Sequence, residues 1–164
     1  MWRAAGWIVP PENPEGTVYG LLAIAALLAA ESGRHESYVD TVLSAVVAAG
    51  LYWLLHAYAT ALGSRLAERE PLSAGMLARA LAHDWALLRG AAIPLGALLL
   101  AWSGGAAQRT GVLIALWSAV ISLLALELAA GVRSRLNGRE LALQAAVGVS
   151  LGVGVLALRV LLAH

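Results

Sequence analysis

The chain has 164 residues, of which 60% are hydrophobic and 13% charged, and its formal net charge is +1. A soluble domain carries about 25% charged residues; this composition, with mean hydropathy +0.77, excludes an ordinary water-soluble globule and predicts an all-α, polytopic transmembrane bundle. The near-zero charge offers no basic stripe for a nucleic-acid partner, and the absence of Cys excludes disulfides, iron–sulfur clusters and covalent c-type haem.

Residues 1–16 read as an irregular, Pro-rich lead whose Trp2 and Trp7 suit the headgroup layer. Its one basic residue, Arg3, and its acids Glu12 and Glu15 do not make a signal n-region, so the apolar run 17–31 is expected to be kept as a first, short span. At 1.5 Å per residue that run reaches about 22 Å, against a hydrocarbon core of about 30 Å. It must extend at its ends or lie buried among its neighbours. The second span is expected over 40–66, stopped by Pro71. Residues 72–89 follow as an amphipathic helix, because Leu77, Leu81, Trp85 and Leu88 recur at helical spacing while Arg79 and His83 fall on another face. It leads into a third span over 90–102, with a kink expected at Pro94. Spans over 111–132 and 140–162 complete one domain of about five crossings.

All the basic residues are Arg. About five crossings put Arg3, Arg65, Arg69, Arg79, Arg89, Arg133, Arg135 and Arg139 on the side of the N-terminus, and Arg34, Arg109 and Arg159 on the other. Positive charge stays cytoplasmic, so the N-terminus is expected inside and the C-terminus outside a bacterial cytoplasmic membrane.

Ionisable groups at membrane depth are the candidates for chemistry, since each is costly there and tends to face a partner or a path. His56 lies sixteen residues after Asp40, and Glu127 sixteen after Gly111, so both are expected about 24 Å in from the same side. An imidazole and a carboxyl at matched depth could exchange a proton or share a cation; the plainer account is a static hydrogen bond between helices. Tyr52, His56 and Thr60 recur at i, i+4 and i+8 and so line one face. His83 and Asp84 are expected at the inner mouth of that path. Glu31 and Arg159, both near the outer interface, are expected to pair as a structural lock. The spacings Gly16/Gly20, Gly148/Gly152 and Ser150/Gly154 mark faces where helices approach closely, including those of a homo-oligomer.

Val18–Tyr19–Gly20, the run Trp53-x-x-His56-Ala57-Tyr58-Ala59 and the ending from Ala157 to His164 resemble a family of small multi-span membrane proteins of GC-rich bacteria. The resemblance implies the topology and a role for His56, and no activity. No phosphate-binding loop, dinucleotide fingerprint or nucleophile elbow occurs, so the expectation is a non-enzyme without cofactor, with the lipid bilayer as its first partner. The preferred function is channel-like passage of protons or small cations through His56 and Glu127. The alternative is a non-conducting scaffold or accessory subunit for a further membrane partner. A weaker third reading, divalent-metal handling, requires His56, Glu127 and His83 or Asp84 to converge; no resident metal is expected.

Overall fold

A computed structural model of the chain describes residues 13–31, 37–68, 73–133 and 138–162. The lead with Trp2 and Trp7, the loop holding Arg34, the Pro71 segment and residues 163–164 lie outside the described residues. Every element among the described residues is a helix: α1 (Pro14–Glu31), α2 (Tyr38–Glu68), α3 (Ala74–His83), α4 (Trp85–Ser103), α5 (Gln108–Arg133) and α6 (Gly138–Leu162). Four helical stretches are long and apolar enough to cross a membrane, with α3 and α4 together forming one of them.

The helix starts are set by local chemistry. The Asn13 side-chain oxygen accepts the Gly16 N–H at 2.8 Å, and Pro14, which has no N–H to leave unsatisfied, occupies the first turn. Thus α1 begins three residues before the expected boundary. Ser37 and Asp40 cap α2 reciprocally: the Ser37 hydroxyl accepts the Asp40 N–H at 3.2 Å, and the Asp40 carboxylate accepts the Ser37 N–H at 3.4 Å. Ser73 accepts the Met76 N–H at 3.2 Å and starts α3. Pro94 is buried inside α4, which continues through it.

The short first helix forms the centre of the bundle, packed against α2, α4, α5 and α6. Leu21, Ile24, Ala25, Leu28 and Ala29 are buried there against Leu98, Ala115, Leu116 and Leu126. Its contact with α4 is backbone on backbone. A Cβ at Gly20 would collide with the Leu87 carbonyl, and one at Gly90 with the Thr17 carbonyl. The Gly16/Gly20 spacing therefore serves an internal crossing, with α4 as its partner.

Helix α2 runs antiparallel along α3 and α4. Tyr38 stacks on Trp102 at 5.8 Å, Trp53 meets Trp85 edge to face at 5.7 Å, and Ala57 and Ala61 pack with Met76 and Ala80. Helix α6 pairs with α5: Gly148 underlies the Glu127 side chain and Gly152 receives Val120. Gly154 differs from the expectation that it shares this packing. It is exposed, with open space where a Cβ would stand, because it lies round the helix from Gly148 and Gly152.

Candidate functional site

The long helical run from Ala74 to Ser103 breaks at one residue, Asp84, whose φ of −83° and ψ of 5° leave the α region. The expected amphipathic segment thus ends at His83, and α4 begins at Trp85, five residues before the expected third span. An Asp at this position ordinarily caps the following helix. Here its side chain makes no capping bond to α4. Instead its carboxylate accepts the Thr60 hydroxyl of α2 at 3.4 Å, a long hydrogen bond, and Asp84 is only 2% exposed. Trp53, seven residues before Thr60 on α2, closes the same junction by donating its indole N–H to the Leu81 carbonyl at 3.2 Å.

One helical turn from Thr60 stands His56. Its ring lies 5.8 Å from that of Tyr19 on α1 and 6.1 Å from that of Tyr52 on its own helix. In the other direction, Thr60 borders a cleft of about 230 Å³ between α2 and α3, with Ser64, Arg79 and His83 in its walls. The Ser64 hydroxyl donates to the Thr60 carbonyl at 3.2 Å. Tyr52, His56, Thr60, His83 and Asp84, expected on one path, therefore do lie along one seam from α1 to the arginine-bearing end. Tyr19, Ser64 and Arg79 join them. The sequence held a sign of two: Ser64 continues the i, i+4 series of Thr60, and Arg79 shares the polar face of α3. Nothing local marked Tyr19, since its contact with His56 arises from how α1 crosses α2.

Glu127 is elsewhere. The structure turns His56 to the tyrosines of α1 and α2, and Glu127 to α6. The Glu127 carboxylate lies over Gly148 and borders a small cavity of about 60 Å³ with Leu124, Leu128 and Ala145. Matched depth along two helices does not make matched faces, and the expected His56–Glu127 pairing is corrected accordingly. Among the described residues, no three His, Asp or Glu side chains gather as a shared metal ion would need.

Glu31 and Arg159, expected to pair at the outer end, stand on α1 and α6. The Glu31 carboxylate accepts the Ser44 hydroxyl of α2 at 3.0 Å, so the polar contact seen there joins α1 to α2, while Arg159 sits half-buried on α6. Close by, the Gln108 amide donates to Thr41 at 2.8 Å, and the Tyr38 hydroxyl donates to the Ala107 carbonyl at 3.1 Å. These bonds tie the starts of α2 and α5 together.

Fold and site define the class: an all-α membrane bundle with a polar seam beside a helix break. No protein-family model matches the chain, and comparison with curated proteins and with solved structures gives no match.

Proposed function

We propose that this membrane protein passes protons along the seam of His56, Thr60 and Asp84, with Tyr52 and Tyr19 beyond it and the cleft at Ser64 and His83 as its inner mouth. The observation that carries the reading is the enclosed Asp84 carboxylate, bonded to Thr60 one turn below an imidazole. Imidazole, carboxyl and hydroxyl groups in series can each accept and release a proton. This set suits a proton better than a small metal cation, which would need several oxygen ligands around one point. Glu127 stands outside the seam because it packs on α6. The arginine-bearing end, with Arg65, Arg79 and Arg139, faces the cytoplasm of a bacterial cell. The open face of α6 at Ser150 and Gly154 is where copies of the chain associate in the proposed oligomer.

A non-conducting scaffold is the second reading, and one observation favours it. The Thr60–Asp84 and Trp53–Leu81 bonds form a clasp that fixes the helix break, a role needing no proton movement. Proton flux into liposomes holding the full chain separates the two. The expected result is flux lost in Asp84→Asn and His56→Ala and retained in Glu127→Gln. Folded wild-type protein without flux would favour the scaffold reading, and flux unchanged by both seam substitutions would remove the seam as the path.

A further inference from the structure

Beyond the seam itself, we propose that the cleft between α2 and α3 binds the phosphate of an anionic lipid headgroup, held by Arg79 and His83. The cleft, about 230 Å³, has Thr60 and Ser64 on one wall and an apolar floor of Ala61, Met76 and Ala80. Both wall hydroxyls have already given their protons, Thr60 to Asp84 and Ser64 to the Thr60 carbonyl. The side-chain donors this lining leaves to a ligand are therefore those of Arg79 and His83, and they suit an acceptor.

Arg79 is prepared for this. Its Nε donates to the Gly75 carbonyl one turn back at 3.3 Å, which fixes the stem and leaves the terminal nitrogens for a second partner. A planar guanidinium edge matches two oxygens of one phosphate, a geometry that a point-charge ammonium would not supply. The backbone of His83 is anchored as well, its carbonyl accepting the Asn13 side-chain N–H at 3.2 Å. Among the described residues around the cleft, the Asp84 carboxylate lies behind Thr60 and is nearly sealed from solvent, so it does not confront the bound anion.

The position of the cleft selects a lipid as the source. It opens at one end of a membrane-spanning bundle, on the amphipathic helix α3 that precedes a crossing. Half-exposed Trp85, with Trp53 against its edge, stands at the junction of α3 and α4 beside it. The inference needs membrane placement and the cleft; it does not need conduction.

The test uses the detergent-solubilised full chain, with bound lipid counted by native mass spectrometry and the thermal midpoint followed during titration. The probes are phosphatidylglycerol, phosphatidylcholine and inorganic phosphate. We expect phosphatidylglycerol to raise the midpoint and persist as a bound adduct, with affinity about tenfold weaker in Arg79→Gln, also weakened in His83→Gln, and unchanged in Arg109→Gln at the opposite end. Arg79→Lys, which keeps the charge and the fold but loses the fork, should fall between. Equal binding of phosphatidylcholine, or wild-type affinity in both Arg79→Gln and His83→Gln, would overturn the proposal. An equal effect of inorganic phosphate alone would overturn the lipid source and assign the cleft to a soluble anion.

Discussion

Gly20 of α1 presses its bare Cα against the Leu87 carbonyl of α4, close enough that a methyl group could not be added without moving one helix. With the mirror contact of Gly90 on Thr17, it brings two backbones together at the centre of the bundle. In lipid there is little hydrophobic force between helices, so the close approach itself, through dispersion and weak backbone contacts, holds the pair.

This crossing predicts a sharp difference among glycines. Gly20→Ala and Gly90→Ala should each destabilise by about 1–3 kcal/mol, the usual cost of overpacking. Gly50→Ala and Gly96→Ala, where nothing stands within 4 Å of the new methyl group, should be neutral. Thermal unfolding in detergent measures all four, and equal effects would remove the crossing from its central role.

A second prediction concerns the seating of Glu127. Gly148→Ala forces the overlying carboxylate aside and should destabilise the protein, whereas the same change in a Glu127→Ala background should cost much less. The coupling in this double-mutant cycle is expected between about 0.5 and 3 kcal/mol, the range for residues in contact. Additive effects would mean that the carboxylate does not rest on α6.

The helix break supplies a third. Thr60→Val leaves the Asp84 carboxylate without the hydroxyl it accepts, and Trp53→Phe removes the donor to the Leu81 carbonyl. Each should lower stability by about 1 kcal/mol, the scale of a polar contact between membrane helices. Near-ultraviolet circular dichroism should report the loss of the Trp53–Trp85 pair in Trp53→Phe and leave Thr60→Val unchanged.

Orientation gives a fourth. Single-cysteine variants Arg79→Cys and Ala107→Cys should react with a membrane-impermeant maleimide from opposite faces of sealed vesicles, Arg79→Cys from the cytoplasmic face. The native chain has no cysteine to interfere. Labelling of both positions from one face would overturn the crossing of the bilayer by the run of α3 and α4.

The seam residues were readable in the sequence because they share single helices at helical spacing. Tyr52, His56 and Thr60 follow one another on α2, and His83 and Asp84 adjoin at the end of α3. The helix class and the amphipathic character of α3 were legible for the same reason. Glu127 shows where such reading stops. Counting residues from a helix start determines depth along the axis, but rotation about that axis depends on which neighbour the helix packs against.

By itself, then, the amino-acid sequence determined an all-α chain with apolar helices suited to a bilayer, the amphipathic character of α3 and the polar stripe of α2. These follow from composition and from the period of the helix. The tertiary structure alone decided that the shortest helix takes the centre, that Gly16 and Gly20 meet α4, that Tyr19 reaches His56, and that Glu127 turns to Gly148. Each of these is a contact between residues distant in the chain, and it depends on shapes that many apolar sequences share until two particular faces meet.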